Sequence, residues 1–356
     1  MHKHSTKLMG TKRLAQLFAI LAAVCYSISA PISKLILDEL PPAILAALLY
    51  LGAGIGMLVV QCLTPSKSKR IESKLTRKEL SYTVAMIALD IAAPILLMLG
   101  LAQSNPATVS LLGNFEIVAT SVIALVFFRE AVGRRMWLAI ALITIASLLL
   151  TVENVGSLKF SPGLLLVLLA CVCWGVENNC TSRLSLKNPL QIVVIKGFGA
   201  GAGALIIALL SGSSVWLPLH IIAALALGFV AYGLSIYFYI LAQRSLGASR
   251  TSAFYAVSPF IGVVLSLIIF RELPAWSFWI ALPVMLAGAY LAAFERHSHE
   301  HRHEEIYHEH RHSHDDGHHT HNHAEHDGEH SHAHTHSEVS HLHEHTPDTH
   351  HSHTHD

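Results

Sequence analysis

The hydrophobic positions of this chain fall into ten long apolar segments separated by short polar stretches. A helix of roughly 20 apolar residues crosses the ~30 Å hydrocarbon core of a membrane, and in lipid the backbone is satisfied only within helices or closed barrels. The pattern therefore predicts an all-α integral membrane protein with ten transmembrane helices. Their predicted ranges are 14–37, 42–63, 80–102, 106–128, 136–152, 162–182, 189–211, 217–242, 248–270 and 274–294.

Composition agrees with a membrane protein and excludes several other classes. Of the 356 residues, 52% are hydrophobic and only 13% are charged, whereas about a quarter of an ordinary soluble domain is charged. The formal net charge is zero, which gives no reason to expect a nucleic-acid partner. The sequence has no GxxxxGK[ST] phosphate-binding loop. We therefore expect no enzyme, and we expect any transport to be driven by a gradient rather than by nucleotide hydrolysis.

Basic residues are distributed unevenly between the predicted loops. With the N-terminus in the cytoplasm, 20 of the 24 lysines and arginines fall on the cytoplasmic side. Loops rich in Lys and Arg stay on the cytoplasmic side during insertion. The charge distribution predicts that both termini are cytoplasmic, and with them the polar C-terminal tail.

The ten segments form two similar halves. Three motifs recur in the same order: LGAGIGML at 51–58 with FGAGAGAL at 198–205, LAQ at 101–103 and 241–243, and FRE at 128–130 and 270–272. Because five helices per half is an odd number, the second half must insert upside down relative to the first. The sequence thus predicts two inverted five-helix repeats over 14–152 and 162–294, between a cytoplasmic N-terminus, 1–13, and a tail, 295–356.

The tripeptide Phe-Arg-Glu closes the fourth and ninth predicted helices, and Trp137 and Trp279 follow seven residues after each Glu. Together with the two halves of five spans, these residues resemble the EamA-type permeases of the drug/metabolite transporter superfamily over residues 14–294. The resemblance implies an exporter of metabolites, drugs or cations in a bacterial inner membrane.

The second half is more similar to this family than the first half is. Its Ala256-Val-Ser-Pro-Phe260 stands where the family often has small residues and a proline in a turn of helix. Aligning the halves on Phe-Arg-Glu places Glu116 opposite Ser258. An acid therefore occupies a mid-membrane position where the second half has a small residue.

Four charged residues lie well inside predicted spans, away from their ends, where each costs at least ~2.5 kcal/mol on insertion scales and is a functional candidate by default. They are Asp90, Glu116, Glu177 and Lys196. A buried carboxyl can exchange a proton for a cation, so we predict that these residues, with the neighbouring Asn114 and Asn178, form the site for transport and proton coupling. The alternatives are that Asp90 and Glu116 only hydrogen-bond helices together or pair with Lys196, and that Lys196 only anchors its helix at the membrane surface.

The sixth predicted helix carries a second candidate site. Cys173, Glu177 and Cys180 lie at positions i, i+4 and i+7 and share one face. Sulfur and carboxylate donors on one stripe suit a zinc-like metal ion. The alternative interpretation is that the cysteines are simply small buried apolar residues.

The tail holds 24 of the 27 histidines, mostly in His-x-His alternation, with 13 Asp or Glu between them. Such a segment cannot form a core and is predicted to be disordered. Neutral imidazoles bind zinc, nickel and cobalt. The predicted metal ligands in the tail include His308, His310, His312, His314, His330, His332, His334 and His336. A solubilising tail and a pH-sensing tail are the alternatives.

These observations together favour a proton-coupled exporter of divalent transition metal ions, with the tail collecting metal in the cytoplasm and no obligatory cofactor. One alternative is a metabolite, amino-acid or drug exporter whose tail only regulates or buffers. A second is a membrane-anchored metal chelator or sensor. The expected partners are membrane lipid, the transported ion or molecule, and protons. The glycine stripes at 52–56 and 197–203 permit close helix packing within one chain, or a homodimer.

Overall fold

The computed structural model describes residues 2–63, 75, 77–128, 133–154, 159–185, 187–213, 217–293, 297–303, 306–312, 330–336 and 339–345. Within these ranges the regular elements of the first half are helices and one short strand. Its elements are α1 (His2–Ser27), α2 (Ser29–Ile36), α3 (Pro42–Leu63), a 3₁₀ helix (Arg77–Glu79), α4 (Leu80–Ala102), α5 (Pro106–Leu112), α6 (Phe115–Phe128), α7 (Arg134–Thr151) and β1 (Val152–Asn154).

The second half repeats this helical pattern. A two-residue strand, β2 (Lys159–Phe160), pairs with β1 and leads into the helices. These are α8 (Pro162–Leu184), α9 (Pro189–Leu210), α10 (Pro218–Gly228), a π-helical segment (Phe229–Leu234), α11 (Ser235–Tyr255), α12 (Val257–Phe270) and α13 (Trp276–Ala293). Several helices begin with proline, whose missing N–H is not needed in the first turn. At α5, the Asn105 side chain also accepts hydrogen bonds from the backbone of Ala107 and Thr108.

The described residues contain nine helical stretches that are long and apolar enough to cross a membrane. The prediction of membrane-spanning helices is confirmed, but the predicted span 248–270 is not one uninterrupted helix. α11 continues to Tyr255, and α12 is a separate apolar helix of 14 residues. Proline lacks a backbone N–H and crowds the carbonyl four residues earlier. Pro259 therefore disrupts the helix at Tyr255, next to the observed break at Ala256.

The fourth predicted span is interrupted in a matching way. α5 ends at Leu112 and α6 begins at Phe115, with a turn at Gly113 and Asn114 between them. When the Phe-Arg-Glu motifs of the two halves are aligned, Asn114 is equivalent to Ala256. Two helices thus break at equivalent positions, and discontinuous helices of this kind form the central sites of many transporters.

The glycine stripes of the two halves pack against each other inside the chain. A Cβ atom at Gly54 of α3 would lie 3.0 Å from the backbone nitrogen of Phe198 on α9, and one at Gly197 would lie 2.5 Å from the Cα of Gly54. Only a residue without a side chain allows the two backbones to approach so closely. This contact accounts for the stripes within a single chain, and a homodimer stays an untested prediction.

We expect Gly197→Ala to destabilise the protein by about 1–3 kcal/mol, the usual effect of inserting a methyl group into a packed contact. The measurement is unfolding of the purified protein in detergent, followed by circular dichroism. Gly203→Ala is the matched control on the same helix, because a Cβ there meets only the side chain of Ile91, which can move aside. Equal losses in the two variants would contradict the close-approach explanation.

Four short strands are present in the tail: β3 (His297–His303), β4 (Ile306–His312), β5 (His330–His336) and β6 (Val339–His345). β3 pairs with β6 and β4 with β5, both antiparallel. The strands cover only these parts of the tail, and the disorder expected of the tail stays a prediction. His-x-His alternation has the two-residue period of a strand. The register sets histidine against histidine, as in His308 with His334 and His310 with His332. The predicted ligand His314 lies outside the described residues.

Candidate transport site

The centre of the bundle contains a buried ion cluster. The Lys196 ammonium on α9 lies 3.1 Å from the Asp90 carboxylate on α4 and 2.9 Å from the Glu177 carboxylate on α8. The three side chains are at most 4% exposed. Tyr50 of α3 donates a hydrogen bond of 2.7 Å to Asp90, and Thr181 donates to Glu177. Pairing with Lys196, the alternative considered for Asp90 and Glu116, is therefore observed for Asp90, and Glu177 is a second partner.

This cluster joins the two halves of the chain. Asp90 and Tyr50 belong to the first half, while Glu177 and Lys196 belong to the second. Burying an ion requires an oppositely charged partner and further hydrogen bonds, since removal from water costs several kcal/mol per ion. The carboxylates of Asp90 and Glu177 each have a charged partner, Lys196, and a further hydrogen bond. The alternative in which Lys196 only anchors its helix at the membrane surface does not fit its 4% exposure.

The third acid, Glu116, has different partners. Asn178 of α8 donates a hydrogen bond of 2.7 Å to Glu116 and one of 3.2 Å to Thr120. α6 and α8 pack closely here, because a Cβ atom at Gly175 would lie 2.5 Å from the Cβ of Ala119. Among the described residues, no salt bridge involves Glu116. It is therefore held by an amide, a neutral donor, rather than by a cation.

Aromatic rings surround the acids. The ring of Tyr26 contacts those of Trp174, Tyr232 and Tyr255, with centroids 6.3, 5.6 and 5.7 Å apart. Tyr232 also contacts Tyr50, whose hydroxyl donates to Asp90. The rings come from α1, α3, α8, α11 and the π-helical segment. Sequence reasoning missed them because single aromatic residues in apolar helices carry no motif.

Two chambers meet at Glu116. The apolar chamber, with an empty volume of about 680 Å³, is lined mainly by apolar groups such as Leu97, Val109 and Val167. The aromatic chamber, of about 500 Å³, contains Glu177, Lys196 and most of the tyrosines. Both chambers are lined by the same four residues at their junction, Tyr26, Glu116, Trp174 and Tyr255. Glu116 can therefore be reached from either chamber.

The acids outnumber the bases at this site. Asp90, Glu116 and Glu177 face a single cation, Lys196, which is already bonded to two of them. A negative charge on Glu116 thus has no salt-bridge partner among the described side chains. Either a proton or a bound cation would neutralise it, which is the requirement for exchanging one for the other.

The predicted metal stripe stays a prediction, and its carboxylate has other partners in the structure. No group of three His, Cys, Asp or Glu residues that could hold a metal ion is found in the part of the chain that the structure describes. Cys173, Glu177 and Cys180 share a helix, but Lys196 and Thr181 already bond the carboxylate of Glu177. The two cysteines alone are too few, so their interpretation as small helix-packing residues agrees better with the structure.

The sequence profile of the EamA-like transporter family matches residues 13–152 and again residues 161–294. The chain belongs to the EamA-like transporter family. This confirms the resemblance to EamA-type permeases and shows that the protein is a multi-pass membrane transporter. The histidine-rich tail lies beyond both matches.

Two relatives of this EamA-like transporter are named only as transporters. An uncharacterized transporter of Methanothermobacter thermautotrophicus (strain ATCC 29096 / DSM 1053 / JCM 10044 / NBRC 100330 / Delta H) is 27% identical over 288 residues, which cover 76% of this chain and 84% of the relative. The uncharacterized transporter YyaM of Bacillus subtilis (strain 168) is 23% identical over 221 residues, 59% of this chain and 71% of YyaM.

A protein of known crystal structure has the same fold. It aligns with a TM-score of 0.58 and 18% sequence identity, and the alignment covers 78% of this chain and 95% of that protein. At this identity the similarity shows the fold alone, so the substrate must be inferred from the side chains at the site.

Proposed function

We propose that this EamA-like transporter is a secondary transporter that exchanges protons for a small organic cation at Glu116. The observation that carries the proposal is the position of Glu116, a carboxylate without a described cationic partner at the junction of two chambers. Tyr26, Trp174 and Tyr255 line the same junction. A carboxylate among aromatic faces attracts a desolvated cation, because the faces of the rings carry negative electrostatic potential.

The architecture supports the exchange. We infer that the two halves are inverted repeats, with both termini in the cytoplasm, and that rocking between them exposes Glu116 alternately to the two sides of the membrane. Because proton and cation compete for one carboxylate, loading one requires releasing the other. Export is the proposed direction, since the proton gradient of a bacterial inner membrane would drive cations outward through such an exchange.

A divalent metal ion is the second candidate substrate, and the tail is the observation that favours it. Strand register places tail histidines opposite one another. Neutral imidazole is a ligand for zinc, nickel and cobalt. The membrane site is less suited to metal, since Glu116 brings one carboxylate and amide or hydroxyl neighbours. In the first proposal the tail buffers metal and takes no part in transport.

One experiment separates the two substrates. The full chain and a chain stopped after Glu295 are reconstituted in liposomes containing a pH-sensitive dye, and proton movement is recorded after adding tetramethylammonium, choline, leucine, zinc, nickel or cobalt. We expect the ammonium ions to drive proton movement equally in both proteins. A response to metals alone, lost on truncation, would replace the proposal with metal transport. A response to leucine alone would keep a transporter but exclude a cation as its substrate.

A further inference from the structure

The apolar chamber contains three polar side chains whose oxygen atoms have no partner. They are the hydroxyls of Ser110 and Ser258 and the side-chain carbonyl of Asn114. All three residues line the chamber and are 8%, 1% and 1% exposed respectively. A buried polar atom left without a hydrogen bond costs about 1–3 kcal/mol. Three such atoms in one chamber therefore indicate a place where a bound molecule completes the hydrogen bonds.

The three oxygens lie on the facing surfaces of two broken helices. A Cβ atom at Gly262 of α12 would lie 3.0 Å from the Ser110 hydroxyl of α5, and one at Gly113 would lie 3.6 Å from the Pro259 ring. Ser258 is one helical turn before Gly262, on the same face of α12. Asn114 follows Gly113 directly. The missing side chain of Gly262 therefore lets α12 pack closely against Ser110 of α5.

These atoms can accept hydrogen bonds but offer little positive charge. The amide nitrogen of Asn114 already donates one hydrogen bond to the Leu111 carbonyl, and the carbonyl oxygen of Asn114 can only accept. Each serine hydroxyl can accept as well as donate. Serines in helices commonly donate to a carbonyl of the preceding turn, and neither of these serines does so within the described residues. The chemistry suits a ligand that brings its own O–H or N–H donor.

We propose that Ser110, Asn114 and Ser258 form a second subsite that binds a hydroxyl or amide N–H group of the transported cation. This inference rests on the proposed function, in which Glu116 binds the cationic end. The substrate class then becomes a cation with an apolar body and a polar donor at the far end. Glu116 and Ser258 are equivalent positions of the two halves, so the charged end and the neutral end of the substrate are bound by corresponding residues.

The test compares two series of cations that differ only in a terminal hydroxyl. Alkyltrimethylammonium ions and ω-hydroxyalkyltrimethylammonium ions with two to six chain carbons are presented to the full chain in liposomes, and the apparent KM is measured by proton movement. One net hydrogen bond to a neutral group contributes about a kcal/mol. We therefore expect one chain length at which the hydroxylated ion has roughly a fivefold lower KM than its alkyl partner.

Two variants test which residues cause the lower KM of the hydroxylated ion. Ser258→Ala and Asn114→Leu are expected to reduce the ratio of the two KM values to about one, while both ions are still transported. Ser266→Ala is the matched control, because Ser266 is another buried, unpartnered serine of α12 that does not line the chamber. The ratio is measured within each protein, so a general loss of folded or active protein does not change it.

The possible results separate the two proposals. Transport of both series with no preference at any chain length would overturn the subsite, for example because water alone fills it, and would leave the cation transporter standing. A preference that persists in Ser258→Ala and Asn114→Leu would place the donor group elsewhere and also overturn the subsite. If the unmodified protein moves none of the ions, the proposed function fails and the subsite fails with it.

Discussion

Replacing Glu116 with glutamine is expected to abolish proton-coupled transport, with a fall in rate of at least about tenfold. Glutamine has nearly the same shape, and its carbonyl can still accept the hydrogen bond that Asn178 donates to Glu116. It can neither bind a proton nor carry a negative charge. The variant should therefore fold normally but respond neither to a pH gradient nor to added organic cations. Proton movement in liposomes measures the first property, and thermal unfolding in detergent checks the fold.

A surface carboxylate provides the control for this substitution. Glu272 is the last residue of the Phe-Arg-Glu motif in the second half, and its side chain is exposed. Glu272→Gln should leave the transport rate unchanged. If Glu116→Gln retained full coupling to the proton gradient, Glu116 would be a helix-packing residue. The coupling group would then have to be sought in the cluster formed by Asp90, Glu177 and Lys196.

The second large effect concerns the stability of that cluster. Lys196→Met is expected to destabilise the protein by about 3–5 kcal/mol, because it leaves two carboxylates buried without their common counter-ion. Asp90 and Glu177 are 0% and 3% exposed, so water cannot compensate for the lost charge. Denaturant unfolding of the protein in detergent, followed by tryptophan fluorescence, measures the loss.

Two further variants test the cause of this effect. In the triple variant Asp90→Asn, Glu177→Gln, Lys196→Met the charges are removed together, so most of the lost stability should return. Lys187→Met is the matched control, because Lys187 pairs with Glu79 at 3.6 Å where both side chains are more exposed, 12% and 19%. That change should cost no more than about 1 kcal/mol. An equal loss in Lys187→Met, or no recovery in the triple variant, would contradict the ion-cluster explanation.

Periodicity and charge in the sequence predicted much of the membrane domain. Long apolar runs locate helices because a spanning helix must be apolar along its whole length, and the ends of α3, α4 and α8 agree with prediction to within two residues. Hydropathy does not predict the break at Ala256, because a proline-induced interruption leaves the apolar character of the span unchanged. The same holds for the turn at Gly113.

The candidate site, too, could be predicted only in part from the sequence. Asp90, Glu116, Glu177 and Lys196 could be selected from the sequence, since each ion in an apolar helix needs a reason to be there. Which acids share the lysine depends on contacts between α4, α8 and α9, residues far apart in sequence. The structure assigns Lys196 to Asp90 and Glu177 and leaves Glu116 with Asn178. Because Glu177 is bonded to Lys196 and Glu116 to Asn178, the arrangement favours an organic cation over a metal ion as the ligand.

By itself, the sequence determined that this chain is a helical membrane protein with two related halves and a histidine-rich tail, because these properties follow from local composition and repeated motifs. Only the tertiary structure decided which charges neutralise each other, which rings surround Glu116, and which buried side chains line the apolar chamber. These relations depend on distances between residues of different helices, and a linear pattern contains no such distances. The proposed roles of Glu116 and Ser258 arise from that three-dimensional arrangement.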